Sequence, residues 1–600
     1  MSRSGPQLLL WVLIIWSSIG CKESESSTRA FQTQVLVIGG STSGTAAAIQ
    51  AARGGVQVVL IEETPWLGGM LTAAGVSATD GNHRLPSGLW GEFRQMIYDH
   101  YGGPDSVATG WVSNTHFEPK VGNKVWNRLA EAEPNLKRFH GYQLSKVLKQ
   151  GNTITGGVFL SEQGDSLTVM ANVTIDATEL GDVLALAGAK YLLGQDPAAL
   201  TKEIWAPENG TNHIQDLTFT AILKDYGPEV DKTITKPLEY DPEEFNCACQ
   251  DLCNDVDFEV VDCLKMLDYA RLPNDKLIIN WPINGNDYYV NCLEMSKGER
   301  LQAYQKAKER TLSFLYYLQT AGGFKNLGLA EDEFPTADHL PLIPYHRESR
   351  RVVGASFLTV NDLADPYSSQ LYQSAIAVGD YPLDHHHDKN PHVAGEVFPS
   401  IPSFAIPYGS LIPEKIDGLI VAEKSISVSH LANGATRLQP CVILIGQAAG
   451  GAAALCVRAD SQPRRLNVKT LQQILLDADC WLLPFIDTAP DDTTYFQAIQ
   501  RVGLSGVMKG KGIPYQWANQ TWFYPDSLVG NEHFSEIYLA ISGKEIELES
   551  DLTRSQAIAY FDASICNEIW GETSETSEKV TRKELAYLID RAFDPFSKTD

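Results

Sequence analysis

From Val35 onward the spacing of apolar and polar positions changes period in a telling order. Val35 to Ile38 is an unbroken apolar run, as expected of a short parallel strand buried on both faces. Gly39, Gly40 and Gly44 follow at once, and the Ala-rich stretch Thr45 to Ala52 favours a helix. Val56 to Ile61 is a second apolar run, closed by Glu62. Strand, glycine turn, helix and strand predict a βαβ unit. Farther on, Ile154 to Val173 alternates around Glu162-Gln163-Gly164-Asp165, a hairpin pattern, and then feeds Ile175-Asp176-Ala177. Leu419 to Ala422 predicts another short buried strand. Pro440 suits the first turn of a helix carrying Gly446, Gln447, Ala448, Ala449 and Gly450. Near the end, Thr553-Arg554-Ser555-Gln556 and Thr581-Arg582-Lys583-Glu584 are capping boxes that each precede an apolar helical pattern. The Tyr495 to Gly510 stretch, followed by Phe523-Tyr524-Pro525-Asp526, adds a repeat-like helix and turn.

The first unit carries candidate chemistry. Glu62 follows Gly39 by 23 residues, a spacing that suits an acid accepting from an adenosine ribose while the helix N-terminus holds a pyrophosphate. Gly39, Gly40, Ser41, Ser43, Gly44 and Glu62 are therefore candidate cofactor residues. Ser41 replaces the middle glycine of the usual G-x-G-x-x-G pattern, and its small side chain still permits close approach of a phosphate. The alternative is an ordinary βαβ unit with a glycine turn.

Composition narrows the setting. Six hundred residues exceed one compact core and predict three or so domains. A net charge of −26 argues against a nucleic-acid partner, because no basic surface is available to neutralise phosphates. Arg3 and the apolar run Leu8 to Trp16 have the form of a secretory signal. The run ends in Ser18-Ile19-Gly20-Cys21, which resembles a bacterial lipobox with Ser in place of its usual Leu. Lipidation of Cys21 would tether the mature protein to a membrane, with Lys22 to Arg29 as a leash; the alternative is simple secretion. Cys247, Cys249, Cys253 and Cys263 lie close together without the paired C-x-x-C knuckles of a zinc ribbon, so disulfides of undetermined connectivity are expected.

The stretches VIGGSTSGTAAAIQAAR, Trp66 to Thr72, VTIDATELGD (Val173 to Asp182), NWPINGNDYY (Asn280 to Tyr289), RESRRVVG (Arg347 to Gly354) and Gly418 to Gly451 resemble a large bacterial family of FAD-dependent oxidoreductases. That family belongs to the glutathione-reductase-like superfamily and is related to the flavin subunit of heterodisulfide reductase. The resemblance implies an α/β fold, with a glutathione-reductase-like FAD-binding Rossmann domain (33–190 and 401–460). It further implies an inserted α+β substrate domain (191–400). Before these lie a signal peptide (1–21) and a linker (22–32). A small, mostly helical C-terminal domain (461–600) completes the chain. It resembles S-layer-homology modules, which bind cell-wall glycans; the alternative is a helical domain packed on the main body. The resemblance places extended FAD across the Rossmann domain and adds Gly68, Gly69, Thr178 and Gln447 to its candidate contacts. Glu179 stands where the superfamily usually has glycine. No second glycine-rich nucleotide turn and no redox C-x-x-x-x-C pair accompany these stretches, which argues against a disulfide reductase.

The inserted region should hold the substrate. Asn280, Trp281 and Asp287 offer an amide, an aromatic face and an acid, a mixture suited to a polyhydroxylated ligand; a surface loop with a buried Trp is the alternative. Arg347, Arg350 and Arg351 suit an anion or the cofactor, or else a solvated face with one ion pair to Glu348 or Asp362. Asp384-His385-His386-His387-Asp388 invites a metal reading, but consecutive side chains on an extended segment alternate in direction, and no metal is expected. The family pattern puts Asp384 and His386 near the active site, and His430 lies in the returning cofactor segment. Hydride transfer between flavin N5 and a small, carbohydrate-like hydroxylated substrate needs a base. His430 is the first candidate, His386 the second, and Asp384 would orient the imidazole. The expected protein is an FAD enzyme of the cell envelope with an unspecified electron acceptor. The alternative is a non-catalytic or electron-transfer envelope flavoprotein whose C-terminal module binds glycan.

Overall fold

A computed structural model describes Met1 and residues 28–598 apart from 109, 111–112, 256, 394–396, 549 and 572–576. The signal-like run and Cys21 lie outside the described residues. Five parallel strands form the central sheet: β1 (Val35–Ile38), β2 (Val58–Glu62), β3 (Leu136–His140), β4 (Val173–Asp176) and β5 (Leu419–Val421). Their order is β5-β4-β1-β2-β3. Every residue of β1, β2 and β4 is buried, because both faces of the sheet are covered. Val35, Val37, Val58 and Leu60 point to a helical layer built from α1 (Thr42–Arg53) and α3 (Gln439–Ala459). Leu36, Ile38, Val59 and Ile61 point the other way, onto Phe159, Leu167 and Val169 of a four-stranded sheet that contains the expected hairpin. A Rossmann-like α/β core results.

The chain closes this core by returning to it after more than 240 residues. β5 adds beside β4, and the short helix α2 (His430–Thr436) leads into α3. Glycine decides how near α3 can come. A Cβ on Gly446 would lie 2.1 Å from the Ser43 carbonyl oxygen, and one on Gly450 would lie 2.2 Å from that of Ala47. α3 is long and apolar enough to cross a membrane, yet 89% of its apolar window is buried inside the protein, as befits a core helix.

The intervening chain builds an antiparallel sheet in the order Arg271–Leu272, Lys276–Ile279, Ala221–Asp225, Leu327–Leu329. The helix Lys297–Thr320 packs on it, started by a Ser296/Glu299 capping box. Disulfides Cys247–Cys253 and Cys249–Cys263 staple the adjoining loop, in line with the expectation for that cysteine cluster. Buried Lys276 ties this part to the Rossmann part through Glu118 at 2.8 Å, and pairs within its own part with Glu333 at 2.7 Å. Later strands Ala375–Gly379 and Phe404–Pro407 pair with each other, and Ile376, Val378, Phe404 and Ile406 join the α1–α3 core. Leu471, Phe496, Leu585 and Leu588 of the C-terminal helices belong to that same core. Both expected capping boxes form, at Thr553/Gln556 and Thr581/Glu584.

Candidate functional site

The glycine turn is built as the pattern foretold, but its groups have partners within the chain. Ser41 caps α1, its Oγ accepting from Gly44 N at 3.1 Å. Glu62, at the tip of β2, accepts from Gly40 N at 2.6 Å and from Thr64 N at 2.8 Å. Burial pushes its carboxyl up to about 7 despite these bonds. The unexpected partner is Glu423, just after β5. Its Oε2 accepts from Ser41 Oγ at 3.0 Å and from Ser43 N at 2.9 Å. Its Oε1 accepts from Lys424 Nζ at 2.7 Å, and Lys424 also donates to Glu179 at 2.6 Å. Glu423 holds this position in a left-handed backbone conformation, φ 58°, which costs a non-glycine residue about 1 kcal/mol or more. A carboxylate thus sits at the positive end of α1, where a dinucleotide pyrophosphate was expected.

Other expected cofactor residues are also engaged locally. Gly69 lies against Glu179: a Cβ there would meet Glu179 Oε1 at 2.4 Å, and a Cβ on Gly68 would meet the Trp126 ring at 2.5 Å. Thr178 Oγ1 donates to Asp176 at 2.7 Å and accepts from Asp182 N at 2.8 Å, stabilising its own turn. Gln447 is corrected. It is fully buried between helices, accepting from Leu89 N at 2.9 Å and donating to Gln50 at 3.1 Å, so it joins helices instead of facing a cofactor.

A second constellation gathers most of the expected substrate and catalytic residues. His386 Nδ1 lies 2.8 Å from Asp287 Oδ2, and Nε2 lies 3.6 Å from Asp384 Oδ2. Arg347 pairs with Asp287 at 3.2 Å and donates to the Asn280 carbonyl at 3.4 Å. Arg437 donates to Asp384 at 2.8 Å and to the Tyr345 hydroxyl at 2.5 Å. Trp281 sets its ring edge-on to Tyr269, 4.8 Å away. Asp80, Tyr269 and Tyr381 lie near enough to Asp384 to feel its charge. Burial alone would raise Asp287 and Asp384, but Arg347 and His386 hold the first well below the ordinary carboxylate range. His386 and Arg437 do the same for the second. Burial and Arg347 disfavour a charged His386, yet the two aspartates outweigh them and raise its pKa. The side chains of His386 and Asp384 keep 22% and 33% of their exposure, so a ligand from solvent can reach them.

His430 stands apart from this group. Its Nδ1 lies 3.0 Å from Glu348 Oε1, and its Nε2 lies 3.3 Å from His387 Nε2. The solvated alternative for the arginine run is corrected: Arg347, Arg350 and Arg351 are buried, and Arg351 pairs with Asp196 at 2.6 Å as well as with the expected Glu348 at 3.4 Å. This short segment links the parts of the site. Arg347 reaches Asp287, Glu348 reaches His430, and Ser349 Oγ lies 2.7 Å from Ser425 Oγ, beside Lys424.

The description "FAD dependent oxidoreductase" matches residues 34–475, most of the chain. The chain belongs to that family. No curated protein matches it. Among solved structures, it is similar to the flavin-dependent brominase Bmp2 at 10% identity, covering 79% of this chain and 87% of that one, TM-score 0.33. A geranylgeranyl bacteriochlorophyll reductase-like protein from Thermoplasma acidophilum matches at 10% identity over 95% and 98% of the two chains, TM-score 0.32. The L-proline dehydrogenase of P. horikoshii matches at 18% identity over 28% of this chain, TM-score 0.17, and only 26% of that chain is covered.

FAD is the cofactor of this oxidoreductase. Its chain partly fits the group: the parallel sheet, the glycine turn, the α1 N-terminus and Glu62 stand where an adenosine diphosphate would need them. The phosphate position does not fit in this conformation, because the Glu423 carboxylate fills it. Sequence reasoning missed Glu423, Lys424 and Arg437, and named Glu348 only as an ion-pair partner of the arginine run. An acid and a base adjacent at the end of the returning strand were the one visible signal for the first pair.

Proposed function

We propose that the oxidoreductase acts on a small hydroxylated, carbohydrate-like molecule held beside Asp384, His386 and Asp287. FAD, when bound, accepts or returns the hydride. The chain's own residues handle the proton and the orientation. His386 carries the reading: an imidazole between two carboxylates takes up a hydroxyl proton readily, and Asp384 and Asp287 stabilise the imidazolium formed. His386 is therefore favoured over His430 as the base, since its side chain keeps 22% of its exposure while that of His430 keeps 2%. Arg347 and Arg437 fix the two aspartates, and Trp281 with Tyr269 offers aromatic surface to a sugar face. Export and a lipid anchor at Cys21 belong to the same proposal, supported by the N-terminal pattern. So does wall-glycan binding by the C-terminal helices, on their resemblance to S-layer modules.

The test is anaerobic mixing of FAD-loaded protein with a panel of sugars and polyols, followed by flavin absorbance. Bleaching by at least one compound is expected, slowed about 10²–10⁴-fold in His386→Gln with FAD retained. Full-speed bleaching in that variant refutes the role of His386. A second reading, a fold that has given up catalysis, is favoured by the carboxylate in the phosphate position. Its signature is bound FAD that no compound of the panel bleaches.

A further inference from the structure

We propose that His385, His387 and His430 form a three-histidine site for a divalent transition metal of the zinc class. One ring nitrogen from each histidine lies within 4.8 Å of the other two. The Nε2 atoms of His387 and His430 are 3.3 Å apart. Tetrahedral zinc with Zn–N bonds of about 2.05 Å sets its ligand nitrogens about 3.3 Å apart, so this pair already has the needed spacing. His385 and His387 are two positions apart on an extended segment and share one side, while His386 between them turns to Asp287. The alternation that argued against a metal therefore leaves two of the three histidines together, and tertiary folding brings the third from the start of α2.

The surroundings hold the rings in place. His430 presents Nδ1 to Glu348 at 3.0 Å, the carboxylate–histidine arrangement that orients a metal-ligating imidazole. Glu348 is itself held: it is fully buried, accepts from Gln215 N at 3.1 Å and lies 3.4 Å from Arg351 Nε. His385 presents Nε2 to the Leu431 carbonyl at 3.0 Å, which fixes the orientation of its ring. Its ring is braced against Phe398, 5.0 Å away. Three neutral ligands with one buried carboxylate behind them suit a dication. They leave a fourth position for water or for a substrate oxygen. A plain hydrogen bond between the two imidazoles explains the 3.3 Å contact alone. It does not by itself account for a third histidine within 4.8 Å of the other two.

The full-length protein, stripped with chelator and dialysed, is titrated with Zn²⁺ by calorimetry and with Co²⁺ by visible absorption. One equivalent of each is expected, with the intense d–d bands of four-coordinate Co²⁺. His385→Gln and His387→Gln should each abolish stoichiometric binding, and Glu348→Gln should weaken it about 10–100-fold. Circular dichroism and FAD retention check that the variants fold, so loss of metal is separable from loss of the flavin reading. Absence of stoichiometric binding by the wild-type protein overturns the proposal, as does binding that survives both histidine substitutions.

Discussion

Replacing Glu423 should make the protein bind FAD more tightly. In the present conformation its carboxylate accepts from Ser41 Oγ and Ser43 N at the N-terminus of α1, and a pyrophosphate needs those same donors. Hydrogen bonds to a charged group contribute about 1.5 kcal/mol each at the low end, and a carboxylate at a helix N-terminus adds about 1 kcal/mol. Leaving that place relieves the left-handed backbone at φ 58°, which offsets about 1 kcal/mol. The net handicap to FAD is about 3 kcal/mol, or roughly 100-fold in Kd. Glu423→Gly removes the carboxylate and the backbone strain together; Glu423→Gln removes only the charge and should gain about tenfold. The assay is titration of apoprotein with FAD, read by quenching of flavin fluorescence, with thermal unfolding measured alongside. If Glu423→Gly folds like the parent and binds FAD no more tightly, the carboxylate is not competing for the phosphate position.

Three other outcomes follow from buried groups. Burial raises the Asp380 carboxyl to about 7 from an ordinary aspartate value, so the folded state holds its proton more tightly than the unfolded chain. That stability is complete below about pH 4 and is lost as pH rises through about 7, a few kcal/mol at most. Asp380→Asn should match wild type at pH 4 and melt higher at pH 8, and equal melting curves at pH 8 would contradict this. Lys276→Met strands Glu118 and Glu333, both buried, and should cost about 3–5 kcal/mol in urea unfolding; a loss under 1 kcal/mol would mean the carboxylates find water or protons easily. Gly446→Ala forces α3 away from the Ser43 carbonyl, which a Cβ would approach to 2.1 Å, and should lower Tm by several degrees. An unchanged Tm would show that the two helices separate freely.

Much of the frame was legible because it depends on local periodicity. The apolar run at Val35 to Ile38, the alanine helix and the hairpin around Glu162 to Asp165 report burial and turn chemistry within a few residues. Each took its expected form. Capping boxes at Thr553 and Thr581 formed for the same reason: a cap and its third neighbour interact whatever surrounds them. Residue type and motif also drew attention to Asp287, Arg347, Asp384 and His386, which the fold brings together.

What the tertiary structure alone decided are pairings across large sequence separations, where nothing local distinguishes one partner from another. Glu423 meets Ser43 across 380 residues, and its carboxylate takes a place that the turn pattern reserved for a phosphate. Gln447 sits on a helix that lies over α1, and that packing uses both atoms of its amide. The pairing of the four clustered cysteines and the burial of the whole Arg347 to Arg351 run had the same origin. The sequence determined which segments are strands, helices and turns, because propensity and periodicity act over a few residues. Which charged group answers which was set by the packed arrangement, because Coulomb attraction and desolvation depend on distance in space and not on distance along the chain.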